Sequence, residues 1–268
     1  MAHLQSGLII GIIIGALTPH SAAWCETPVS TSVPPFKVES LVDRGDEANP
    51  ISLSTTIFSE AKAFDFLKDP REVTIIDWRG NRVILLNPCH REEAELSFDA
   101  ILRFHERVQS RTRQERDPRQ RFAADPDFAI QFDQAKDTLL LTSPWLTYRI
   151  TTRSDIDPAI IREFLRFSDL MARVNCLLVQ GSRLPNPRLK VNQALAERNL
   201  FPVEVRLIAA PRNFLEWLPG RQSVVRSNHT LVVGLTEEDR AQIDQAEKWT
   251  HEFRRVNFID YQAKLAGN

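Results

Sequence analysis

The sequence predicts an α+β fold. It consists of a large curved antiparallel β-sheet of about nine or ten strands, in hairpins and meanders, with helices packed on one face. Three observations carry this expectation. Strand-like stretches come in runs joined by short turns, helical stretches fall between those runs, and regular β-α-β alternation is absent. The last point excludes a doubly wound parallel sheet and an eight-fold barrel. The 268 residues are 43% apolar, enough for a sizeable core, and no internal repeat divides them.

The chain opens with a secretory signal. An apolar run from Leu8 to Leu17 leads to Thr18-Pro19-His20 and then to the small residues Ser21-Ala22-Ala23. That pattern predicts a signal peptide over residues 1–23, cleaved after Ala23, and hence a periplasmic or extracellular protein. The run would span only about 15 Å as a helix, half the core of a bilayer, so it is not read as a membrane anchor. Cys25 lies just beyond it, but Trp24 precedes that cysteine where lipidation requires a small residue.

Residues 24–50 read as a flexible segment, Pro/Ser/Thr-rich at first and then charged without a period. A single α+β domain is expected over residues 51–268. Within it, Glu72–Trp78 and Arg82–Leu86 are apolar on both parities, so both faces of the sheet should be covered there. They flank Arg79-Gly80-Asn81, where glycine is expected to supply a positive φ for the hairpin. Ser97 should cap a helix running to about Gln114, with Phe98, Ile101, Leu102, His105 and Val108 on one face. The arginine-rich stretch that follows is interrupted by Glu115 and Asp117 and reads as a solvated helix end and loop.

Strict alternation marks Phe128–Asp133, Leu146–Arg153 and Val203–Ala210 as half-buried strands, and Thr138–Thr142 as another. Asp157-Pro158 opens a helix with a broad apolar face from Ile160 to Val174 that should stop by Gly181. A shorter helix follows from about Arg188 to Arg198. Phe214–Leu218 and Ser223–Val233 should form a hairpin, and Thr236 should cap the final helix.

Little in the sequence carries chemistry. There is no glycine-rich phosphate loop, no G-x-S-x-G elbow, no H-E-x-x-H and no pair of C-x-x-C motifs, so no cofactor is implied. The formal net charge of -1 gives no reason to expect nucleic acid as a partner. The stretch Ile84–Leu96 collects Cys89, His90, Glu92 and Glu93. Adjacent strand residues point to opposite faces, so the cluster reads as a hairpin tip and no metal site is assigned. In an exported protein Cys89 and Cys176 are the pair to consider for a disulfide, since Cys25 lies in the tail.

Two titratable residues are candidate catalytic groups. His229 shares parity with Val225, Leu231 and Val233, so it should face an apolar layer that depresses its pKa. Asp77 ends an apolar strand and reads either as a site residue or as a hairpin-end carboxylate receiving backbone amides. The leading functional class is an exported binding or envelope-associated domain, holding an apolar ligand against a curved sheet lined by Phe128, Phe132, Tyr148 and Phe164. The others are an exported hydrolase whose site carries no motif, and a structural or interaction module tethered by the tail. Ligand and partner are unassigned, and no membrane-spanning segment remains once the signal is removed.

Overall fold

The computed structural model describes residues 33–44, 50–178, 184–210 and 224–265. The expected signal peptide, Cys25 and the strand expected at Phe214–Leu218 lie outside these residues. Val33–Asn268 forms one compact unit.

A single curved, unclosed sheet of twelve strands organises the molecule. Its first six strands are β1 (Phe36–Asp43), β2 (Ser52–Ser59), β3 (Lys62–Leu67), β4 (Glu72–Asp77), β5 (Arg82–Asn87) and β6 (Glu92–Ser97), a continuous antiparallel meander. Helices α1 (Phe98–Arg113) and α2 (Pro118–Ala124) then carry the chain to the far edge of the sheet. There β7 (Ala129–Asp133), β8 (Thr138–Thr142) and β9 (Leu146–Arg153) form a second meander. After α3 (Pro158–Leu178) and α4 (Asn186–Ala196), β10 (Phe201–Ala209) and β11 (Val224–Val233) continue it inward. The halves meet where β11 pairs with β1, Phe36 opposite Val233 and Asp43 opposite Arg226. Helix α5 (Glu237–Glu252), the two-residue strand β12 (Arg254–Arg255) and α6 (Phe258–Leu265) complete the chain. β12 adds in parallel to β6, the one parallel pairing among the described residues.

The α+β class therefore holds, and the structure refines it in three places. β1 lies inside the segment expected to be irregular and occupies the middle of the sheet. Its core positions Phe36 and Val38 are fully buried, but the next inward position is Ser40, which breaks the apolar period. Twelve strands replace nine or ten because β1 and the two-residue β12 carry almost no periodic signal, and α6 lies beyond the helix expected to be last. Finally, one helix sits apart from the others. α1, α3, α4 and α6 contribute to a core on the inner face, with Ile101, Phe164, Leu195 and Tyr261 among its members. α5 instead covers the outer face of β2–β5, where Ala246 and Phe253 pack on Ile57, Phe64, Ile75 and Ile84. Both faces of β4 and β5 are buried in consequence, as their unbroken apolar runs predict.

The helix caps form as expected. Ser97 accepts from the Ala100 amide, and Thr236 makes a reciprocal box with Asp239. Gly80 has a different role from the one expected. The positive φ of that turn belongs to Asn81, at 52°. Glycine is required at 80 because its amide donates to Asp77 Oδ1 at 2.8 Å, so close that a Cβ there would strike the Asp77 carboxylate.

Candidate functional site: a two-walled cavity under helix α3

A cavity of about 380 Å³ lies between α3 and the inner face of β4, β3, β2, β1 and β11. Its helix wall follows from helical spacing. Phe164, Phe167, Ser168, Met171, Ala172, Asn175 and Leu178 form a single stripe of α3 and all face the cavity. Its sheet wall follows from register. Ser40 lies opposite His229 on one side and Ser54 on the other, Thr56 lies opposite Asp65, and Asp65 opposite Thr74. Cross-strand partners share a face, so these side chains form one polar patch, to which Ser52 and Glu72 add. Arg188, from the first turn of α4, reaches the same space.

The two walls differ in chemistry. The helix offers mainly aromatic and aliphatic groups, with Ser168 and Asn175 among them, and the sheet mainly hydroxyls and carboxyls, with Val42 and Leu67 among them. Asp65 accepts from Thr56 Oγ1 at 2.7 Å. Burial nevertheless pushes its carboxyl up to about 6, against the lowering effect of the Thr56 and Ser54 hydroxyls. Burial alone raises Glu72. At the other end, His229 Nδ1 lies 3.0 Å from Ser40 Oγ and Nε2 lies 3.1 Å from Ser227 Oγ. Its ring meets Phe164 edge-on at 5.4 Å. Burial, then the positive charge of Arg188, push the imidazole down to about 3, so it is neutral.

The candidate residues read from the sequence separate here. His229 and Phe164 line the cavity. Tyr148 does not: it is buried in the core and packs edge-on to Phe128, which packs edge-on to Phe122. Phe132 lies on the wholly exposed edge strand β7 and is 37% exposed. The expected apolar lining is thus corrected to a mixed one. Strand alternation identified side chains with a buried face, but it cannot say which of them leave a void.

Asp77 is structural. Burial raises its carboxyl, but the Gly80 amide and the Arg82 guanidinium outweigh that and leave it lowered. It closes the β4–β5 hairpin. The Cys89–Cys176 bridge is not formed. Cys89 is an exposed free thiol at the tip of the β5–β6 hairpin, a position Cys176 on α3 does not share. His90 shares that tip, where its amide donates to Asn87 Oδ1 at 3.1 Å. Among the described residues no three His, Cys, Asp or Glu side chains are grouped to hold a metal.

A histidine beside a serine hydroxyl invites a nucleophile reading, but the chemistry is poor. Each nitrogen of His229 is engaged by a serine hydroxyl, and no carboxylate orients the ring. A base that titrates near 3 takes a hydroxyl proton weakly. The arrangement suits binding better than proton transfer. Ser40, Ser54, Thr56, Asp65, Glu72 and Arg188 were not legible as site residues, because isolated hydroxyls and charges read as solvated positions.

No protein-family model matches the chain, and no curated protein matches it. Among solved structures, one of PNGF-II is similar over 86% of this chain at 11% identity, with a TM-score of 0.34. This chain spans about a third, 33%, of that structure's length. A LolA superfamily protein from Nitrosomonas europaea is similar over 76% of this chain and 87% of its own at 9% identity, with a TM-score of 0.27. No helix among the described residues is long and apolar enough to cross a membrane.

Proposed function

We propose that this chain is an exported, non-enzymatic binding protein that holds a small amphipathic ligand in the cavity under α3. The observation that carries the reading is the cavity itself. At about 380 Å³ it has the size of a small-molecule site, with one apolar wall and one wall of hydroxyl and carboxyl groups. A ligand with an apolar face and a hydrogen-bonding face would satisfy both. The low basicity of His229 weighs against a hydrolase, the reading that its pairing with Ser40 otherwise favours. Export rests on the signal-peptide pattern, and a mature chain beginning at Trp24 is its expected product.

The test uses the neutral fluorophore N-phenyl-1-naphthylamine. The full mature chain is expected to enhance its emission with a stoichiometry of about one. Ala172→Trp, which fills the cavity from the helix wall, should weaken binding about tenfold or more while the circular dichroism spectrum is retained. Equal binding by wild type and filled variant would overturn the proposal.

A further inference from the structure

We propose that the cavity's ligand is an amphipathic organic acid, a carboxylate or a phosphate monoester, whose anionic group is received by Arg188. The inference rests on the binding reading above and deepens it.

Arg188 faces the cavity, and the hydrogen bond it makes is long, 3.4 Å to Ser168 Oγ. Among the described residues it forms no ion pair with any carboxylate. Tyr148 and then Asp169 act on its charge from a distance, and Asp169 is itself engaged by Asn192 Nδ2 at 2.7 Å. The cavity's own carboxylates do not neutralise it. Asp65 stands on β3 and Glu72 on β4, whereas Arg188 acts on His229 of β11, at the opposite end of the run β4-β3-β2-β1-β11. With neighbouring strands about 4.8 Å apart, β3 and β11 are separated by roughly 14 Å.

A half-buried charge with no directly paired carboxylate is costly. Asp65 and Glu72 can answer that cost by holding a proton. A guanidinium has no such route, because it stays protonated in proteins. Among the described residues no carboxylate closes on it, and a planar fork of donors in a cavity suits carboxylate or phosphate oxygens. Ser168 and Ser40 can donate hydroxyls to the same group. The apolar body of the ligand would then lie along Phe164, Phe167 and Met171 on the helix wall.

The experiment is displacement of N-phenyl-1-naphthylamine from the mature chain by octanoate, octyl phosphate and 1-octanol, three probes with a common tail. At least one acid is expected to displace the probe about tenfold more effectively than the alcohol. Comparing octanoate with octyl phosphate distinguishes a carboxylate from a phosphate ligand. In Arg188→Met the acids should displace the probe no better than 1-octanol does, and the melting temperature of the ligand-free chain should rise because a charge without a paired carboxylate has gone. Arg188→Lys should keep a preference for acid. Equal displacement by acid and alcohol in the wild type would overturn the acid assignment and leave the cavity reading standing. Failure of all three probes, together with insensitivity of the fluorophore to Ala172→Trp, would instead overturn the cavity reading. If Arg188→Met does not fold, the wild-type comparison and Arg188→Lys still decide the matter.

Discussion

Asp65 faces a space that offers it hydroxyls and no cation, and that setting has a measurable consequence. Its carboxyl titrates near 6 in the folded chain against an ordinary value of 3.8. Between those values the folded state holds a proton that the unfolded state has released. The associated stability is therefore complete below about pH 4 and is lost as the pH rises through 6. Asp65→Asn should abolish this dependence. Relative to wild type the variant should gain about 1–2 kcal/mol between pH 4 and pH 7, allowing for screening by water in the cavity. Urea denaturation of both proteins at several pH values measures the difference, and a difference independent of pH would refute it. At this scale the sequence was only partly legible. The role of Asp77 as a hairpin-end carboxylate was one of its two readings, and the burial of His229 followed from parity. The hydroxyl patch was not legible. Ser52, Ser54 and Thr56 face inward from β2, so up to Phe58 the residues turned toward α3 are polar ones. The alternation that normally reports a buried face is inverted there.

The last two elements, β12 and α6, share one acidic partner, beside the Arg255 pairs with Glu93 and Glu95 and the burial of Tyr261. Glu92 is buried at the start of β6 and receives both Arg254 of β12 and Lys264 of α6. The Lys264 bond lowers its carboxyl, burial opposes this, and Arg254 adds to the lowering. Glu92→Ala should release the strap. Amide exchange over Arg254–Leu265 should accelerate about tenfold or more, with a global cost of about 1–3 kcal/mol because both cations are partly exposed. Hydrogen exchange resolved by peptide checks it, and unchanged protection there would refute it. Element recognition followed the strength of the local signal. Helices α1, α3 and α5 carry caps and apolar stripes, and each was found. The β2–β3 hairpin turns on Glu60 and Ala61, both with positive φ (51° and 62°) and neither a residue that advertises a turn. A strap made of two residues and a short helix draws its order from residues far away in the sequence, Glu92, Glu93 and Glu95 among them, so nothing local announces it.

At the scale of the molecule, β1 is the seam. It pairs with β2 on one side and β11 on the other, so it joins the two meanders into one sheet. Val38 is fully buried at its centre, opposite Leu231 and Thr56. Val38→Asp would place an unpaired carboxylate there and should cost about 4 kcal/mol or more. Thermal melting by circular dichroism is expected to show loss of the cooperative transition, and a wild-type melting curve would refute it. The fold class was legible because it depends on the order of strong elements. The seam was not, because its partners lie far apart in the sequence.

That seam also sets an order of events. β1 is made well before its second partner, β11, which ends at Val233. A growing or threading chain can form its first meander early, but it cannot close the sheet, or enclose the space under α3, until most of its length is available. Pairings between strands so distant along the chain carry a large loop-closure entropy and slow assembly. The cavity under α3 is thus complete only once the two meanders have joined.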